Sequence, residues 1–255
     1  MEREINNYSL GKKRTFVFEE EHFIVEGTFK NFKKGKRGNM KKQISIEEAI
    51  GKIEDGMSVM IGGFLATGTP MDLVDALVAK GTKNLTLINN DSGFPDRGVG
   101  KLVVNNQFKK VIASHIGTNP ETGKKMHSGE IEVELVPQGT LAERIRAGGA
   151  GLGAILTPTG VGTVVEEGKQ KITLQGKDYL LEEALRADVA LIQAEIADEK
   201  GNLIFDKAAR NFNPLMAMAA DIVIVEAKKI VPVGDIDPNF VMIPGEVVDF
   251  IVKGE

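Results

Sequence analysis

Residues 55–70 read Asp55-Gly56-Met57-Ser58-Val59-Met60-Ile61-Gly62-Gly63-Phe64-Leu65-Ala66-Thr67-Gly68-Thr69-Pro70. Asp-Gly is a turn signal, and Met57 to Ile61 is a short apolar run of the kind buried in a sheet. A glycine loop follows, and Pro70 stands where the first residue of a helix is expected. Leu73, Val74, Leu77 and Val78 then recur at helical spacing. A strand running through a glycine loop into a helix begins a β-α-β unit. Such a loop turns backbone N–H groups and the positive end of a helix dipole toward an anion or a polar acyl chain.

The same alternation continues on both sides. Ser45-Ile46-Glu47-Glu48 is a capping box, with Ile46, Ala49, Ile50 and Ile53 on one helical face. Strands are expected at Leu85–Ile88, Val111–Ser114 and Ile131–Val136, then a helix at Thr140–Arg146. Further strands are expected at Asp188–Gln193 and Asp221–Val225, both continuous β-rich runs typical of a covered sheet. Lys171–Leu181 alternates about Gln175-Gly176-Lys177 and reads as a hairpin excursion. The expected fold is α/β: a mainly parallel open sheet flanked by helices, in one domain over residues 40–255.

Composition narrows the chemistry. The 255 residues contain no Cys and three His, which excludes a disulfide scaffold, a thiolate metal site and a cysteine nucleophile, and leaves no His-based metal site. No run approaches the ~18 apolar residues of a membrane span. Glycine is in excess, 29 residues against a usual share of about 7%. Charge is uneven: residues 1–42 carry a net +5 and residues 43–255 a net −9. The basic stretch has no nucleic-acid reader motif, and Glu19, Glu20 and Glu21 argue against a targeting peptide. Residues 1–39 are therefore expected to be a basic extension outside the fold, disordered or an artefact of start-site choice, with Lys36-Arg37-Gly38-Asn39 standing where a ribosome-binding sequence would be translated.

Two phosphate-binding patterns fail on inspection. Gly63 and Gly68 fit the first half of a Walker A loop, but Thr69-Pro70 occupies the place of Lys-Ser/Thr. Gly149-Ala150-Gly151-Leu152-Gly153-Ala154 spells G-x-G-x-x-A, yet it follows a helix instead of a strand.

Residues 55–70 resemble the signature of the family I coenzyme A transferases, in particular their α subunits. Glu134 to Gly151, Thr157-Pro158-Thr159-Gly160-Val161-Gly162-Thr163 and Ala209-Arg210-Asn211-Phe212-Asn213 are similar to three further hallmarks of that family, so the resemblance spans about residues 41–255. It implies transfer of CoA from a short-chain acyl-CoA to a free carboxylate through a glutamyl-CoA thioester. In this family the nucleophilic glutamate belongs to the β subunit, near a Ser-Glu-Asn-Gly motif that this chain lacks. The resemblance thus implies half of an active site, an obligatory β partner forming a heterodimer or heterotetramer, and no promotion of Glu134 or Glu143 to nucleophile. CoA enters as substrate, with no tightly bound cofactor, no nucleic-acid or membrane partner, and a cytoplasmic location.

By the same resemblance, Gln138 is an oxyanion donor, Asn89 and Asn90 are active-site amides, and Gly62, Gly63, Phe64, Leu65, Ala66, Thr67 and Gly68 contact CoA. The residues alone allow blander readings: Gln138 as a polar helix start, Asn89-Asn90-Asp91-Ser92 as a turn, and Phe64 as a packing residue. A non-catalytic ligand-binding or sensor domain, or a sugar-phosphate isomerase-like enzyme, is the alternative on the same general fold.

Overall fold

The computed structural model describes residues 42–254, together with a backbone pairing of Ser9–Leu10 with Lys13–Arg14. The expectation for residues 1–39 otherwise lies outside the described residues. The chain divides into two units, Met1–Met40 and Lys41–Glu255, and the second carries the α/β fold.

Its elements are α1 (Ile46–Ile50), β1 (Ser58–Ile61), α2 (Met71–Lys80), β2 (Leu85–Ile88), α3 (Gly100–Val104), β3 (Phe108–Ala113), α4 (Pro120–Ser128), β4 (Glu132–Leu135) and α5 (Gln138–Gly149). Then come β5 (Ala154–Thr157), β6 (Lys171–Leu174), β7 (Lys177–Glu183), β8 (Ala187–Asp198), β9 (Leu203–Ile204), α6 (Asn213–Met218), β10 (Ala220–Val231) and β11 (Phe250–Lys253). The main sheet has the order β11-β10-β8-β1-β2-β3-β4, every neighbouring pair parallel, with β9 antiparallel on β8. Strands β1 to β4 spread in one direction and β8 to β11 in the other, so the order reverses between β1 and β8. Ligand crevices of open α/β sheets form at the strand C-termini of such a reversal.

The sheet is covered on both faces, as the unbroken apolar runs require. Val59 and Ile61 of β1 pack with Leu73, Val74 and Leu77 of α2, whereas Met60 between them packs with Leu141 and Ile145 of α5 and Met216 of α6. The two-residue period of a strand sends alternate side chains into opposite cores.

The capping box is present: Glu48 N–H donates to Ser45 Oγ (3.1 Å) and Ser45 N–H to Glu48 Oε2 (3.2 Å). Pro70 precedes α2 instead of opening it and supplies no side-chain cap. The cap comes from across the sheet, where Glu226 Oε2 of β10 accepts the Leu73 N–H at 2.9 Å. Helix α5 runs from Gln138 to Gly149, longer at both ends than the periodicity of Thr140–Arg146 indicates. The hairpin excursion is real: Leu174 pairs with Lys177 about Gln175 and Gly176, both at positive φ (51° and 76°), the geometry of a two-residue hairpin turn. β5 joins it to make a three-stranded antiparallel sheet. No helix among the described residues is long and apolar enough to cross a membrane.

Candidate active site

Strand β1 delivers the glycine loop to the reversal point, where the Gly62 N–H donates to Leu191 O of β8 at 2.9 Å. The loop is gripped from below by residues 209–213. Asn211 Nδ2 donates to Thr67 O at 2.9 Å, and Asn213 Nδ2 donates to Gly68 O (2.9 Å) and Ala209 O (2.8 Å). Asn213 Oδ1 accepts the Gln193 N–H at 3.0 Å. This close approach dictates two glycines. A Cβ on Gly62 would lie 1.8 Å from Asn213 Oδ1, and one on Gly68 (φ +77°) would lie 2.7 Å from Ala209 O.

Beyond the grip the loop turns tightly, with Phe64 and Thr67 exchanging backbone hydrogen bonds of 3.0 and 2.9 Å. Its central residues, Leu65 (φ 45°) and Ala66 (φ 70°), both lie in the left-handed region. That conformation costs a non-glycine residue of order 1–2 kcal/mol. Phe64 is 39% exposed at the turn, so it is not the core packing residue suggested by its hydrophobicity.

The second loop leaves β2 as Asn89-Asn90-Asp91-Ser92, all but fully buried. Asn89 Nδ2 donates to Ile61 O at 2.7 Å and Asn89 Oδ1 accepts the Asp91 N–H at 3.1 Å, so its amide is spent on joining the ends of β1 and β2. Asn90 faces the site. Its Oδ1 accepts from Gln138 Nε2 at 2.7 Å and from Ser114 Oγ at 3.2 Å, and its Nδ2 donates to Asp91 Oδ2 at 2.7 Å. Asp91 also accepts the Leu65 N–H at 2.9 Å on Oδ2 and the Gly93 N–H at 2.9 Å on Oδ1. Asp91 therefore joins the glycine loop, Asn90 and, through Asn90, Gln138. Sequence reasoning sees in Asp91 only a turn residue; its position directly after two amides at a strand end was the available signal.

Gln138 opens α5 and is exposed. Beside it an open groove of about 470 Å³ runs between α5 and β5, lined in part by Gly139, Thr140, Ile155, Leu156 and Thr157.

The glutamates of the second hallmark are engaged in ion pairs. Glu134 pairs with Arg144 (2.8 Å) and Lys110 (3.2 Å). Burial alone would raise its pKa, but the hydrogen bonds and charges of Arg144 and Lys110 outweigh it and hold the carboxyl below its ordinary value. Glu143 pairs with Arg146 at 2.8 Å. The His127 ring bonds Gly123 O at 2.7 Å, and His22 lies outside the described residues. Among the described residues no group of His, Cys, Asp and Glu is arranged to hold a metal ion.

A doubly covered parallel sheet, with a gripped glycine loop at its reversal point and an exposed amide after the edge strand β4 oriented by Asn90, defines an open α/β enzyme domain that binds at its strand ends. The family described as "Coenzyme A transferase" matches residues 43–254, and the chain belongs to that family. It is 58% identical over 214 residues to the acetate CoA-transferase subunit alpha of Escherichia coli K12, covering 84% of this chain and 97% of that one. It is 55% identical over 212 residues to the acetoacetyl-CoA:acetate/butyrate CoA transferase alpha subunit of Clostridium acetobutylicum, covering 83% and 97%. An acyl-CoA transferase of E. coli O157:H7, solved as a thioester complex with CoA, superimposes with a TM-score of 0.73 at 26% identity. That match covers 84% of this chain and 47% of the other, so the chain spans about half the length of that solved protein. The sensor or isomerase-like alternative finds no support in these likenesses.

Proposed function

We propose that this chain is the α subunit of a CoA-transferase that moves CoA from a short-chain acyl-CoA, such as acetoacetyl-, butyryl- or acetyl-CoA, to a free carboxylate, in complex with a β subunit that supplies the nucleophilic glutamate. The observation that carries the reading is Gln138, an exposed amide at the strand ends whose Nε2 is fixed as a donor by Asn90. The partner's carboxylate attacks the thioester carbonyl, and negative charge develops on the carbonyl oxygen. One N–H of Gln138 Nε2 is committed to Asn90, and the second is available for that oxygen. Collapse expels CoA thiolate and leaves an acyl-glutamyl anhydride. The thiolate then attacks the glutamyl carbonyl, releasing the first acid and forming the glutamyl-CoA thioester, from which the second acid takes CoA. No step needs an oxidant or a net proton. A donor aimed at such an oxyanion contributes about 3–4 kcal/mol to lowering the barrier.

Residues 62–68 are the CoA-contacting segment in this reading, supported by a turn whose side chains at 64 and 65 stay exposed. In this reading the groove beside Gln138, lined by apolar and hydroxyl groups and by Glu143 and Arg146, receives the short acyl chain. We place the enzyme in the cytoplasm, where CoA thioesters are made and consumed, and place residues 1–39 outside the catalytic fold. The test is reconstitution. The purified chain alone should be inert, and adding the β subunit should give transfer from acetoacetyl-CoA to acetate. Transfer by the lone chain would overturn the divided site.

A further inference from the structure

We propose that Asp91 is the positioning residue that makes Gln138 a donor, an inference that rests on the oxyanion role given to Gln138 above. Asp91 is 1% exposed, and its two oxygens accept three N–H groups, from Leu65, Asn90 and Gly93. A carboxylate in such a site only accepts. Asn90 must therefore turn its NH₂ group toward Asp91, which leaves Oδ1 as the group facing Gln138. Facing an acceptor, Gln138 must in turn present its own NH₂ group, and Nε2 sits 2.7 Å from Asn90 Oδ1. The polarity of the whole relay is set at Asp91. Ser114 Oγ has its shorter contact, 2.7 Å, with Asn90 O, so its one proton is directed there and the hydroxyl does not fix the polarity of the Asn90 amide. The Leu65 N–H bonded to Asp91 belongs to the left-handed turn of the glycine loop, so the same carboxylate sets the loop and the donor in one frame.

Asp91→Asn keeps the shape but no longer enforces the polarity. With the new NH₂ group in the place of Oδ1, Asn90 stays as it is and Gly93 loses its acceptor; in the place of Oδ2, which Leu65 and Asn90 share, it donates to Asn90 and gives up the Leu65 N–H. In that second arrangement Asn90 reverses, and Gln138 is driven to turn its carbonyl oxygen inward and its donor away. In the complex with the β subunit, D91N should lower kcat by about 10–100-fold, approaching the 10²–10³-fold known for loss of such a donor, with KM for acetoacetyl-CoA within about threefold. The deciding measurement is a double-mutant cycle with Gln138→Ala. If Asp91 acts through Gln138, D91N in the Q138A background should lower kcat by no more than about twofold. Independent, multiplicative losses would make Asp91 a general structural residue and overturn the proposal. A wild-type kcat for D91N alongside a strongly impaired Q138A would overturn it while leaving the Gln138 reading intact. An unimpaired Q138A would overturn both. Asp91→Ala, which removes both oxygens, carries the same cycle if D91N does not assemble with the β subunit. Failure of both to assemble would make Asp91 a folding residue and end the proposal.

Discussion

Replacing Gly62 with alanine puts a methyl group 1.8 Å from Oδ1, 2.6 Å from Cγ and 3.2 Å from Nδ2 of Asn213, the three nearest heavy atoms it would meet. The backbone of Gly62 is pinned to β8, and Asn213 is 0% exposed, so the side chain of Asn213 has to leave. Its departure strands the buried Gln193 N–H and the partly buried carbonyls of Gly68 and Ala209. An unsatisfied buried donor costs about 1–3 kcal/mol and each half-wet carbonyl less, so Gly62→Ala should destabilise by roughly 3 kcal/mol. Asn213→Ala strands the same three groups and should cost about the same. The two substitutions therefore share one defect. With Asn213 already truncated, all three clashing atoms are gone, and the methyl group at 62 fits. The double variant should be no less stable than Asn213→Ala, and more stable by about 0.5 kcal/mol because alanine restricts the unfolded chain. The coupling of roughly 3 kcal/mol is within easy reach of urea denaturation followed by far-UV circular dichroism. Additive losses, near 6 kcal/mol for the pair, would refute the grip of residues 209–213 on the glycine loop.

Two further outcomes test other parts of the fold. Glu226, buried in β10, has its pKa raised to about 7 from the ordinary 4.5, with burial the largest cause, the Leu73 N–H acting against it and the charge of Asp72 with it. The folded state then binds more protons than the unfolded state between those values, so stability is fullest below about pH 4.5 and declines as the pH rises through about 7. Glu226→Gln keeps an acceptor for Leu73 and removes the titration: its unfolding free energy from urea denaturation should exceed the wild type's at pH 8, by roughly 3 kcal/mol at most, and converge with it near pH 5. A constant offset at both pH values would contradict the burial argument. Ala66→Gly relieves one left-handed alanine and should stabilise the chain by about 0.5–1 kcal/mol, raising the thermal midpoint by roughly 1–4 °C; a lowered midpoint would show that the turn is not strained at Ala66.

The legible part of the fold was the part written in local periodicity. β2 was delimited to the residue because Leu85–Ile88 is an apolar run between polar neighbours, and the capping box located α1. α4 left no such trace: Pro120–Ser128 has no apolar stripe and is set by Asn119 at one end, Gly129 at the other and burial of Thr122 and Lys125. β11 depends on pairing with β10, 26 residues back, and the cap of α2 on Glu226, 153 residues from Leu73, and spacing along the chain reports neither. At the site, Asn90 and Gln138 were identified by resemblance, and their mutual bond spans 48 residues. Asp91 escaped because its function is relational. An aspartate after two asparagines reads as a turn until the Leu65 N–H is seen to reach it from another loop.

The exposure of the site has a consequence for catalysis. Phe64, Leu65 and Gln138 all face solvent in this chain. In water an amide donor adds little to an oxyanion already solvated, because the high dielectric and competing water flatten the difference between ground and transition states. The donor becomes effective only when water is excluded while its orientation is kept. In the reading proposed above, this chain supplies the orientation in advance, through the relay from Asp91 to Asn90 to Gln138 and a glycine loop clamped by Asn211 and Asn213. Exclusion of water is left to the chain that brings the glutamate. Such a division keeps the lone subunit from spending thioesters on water, since neither the nucleophile nor the dry pocket exists until the β subunit we propose is bound.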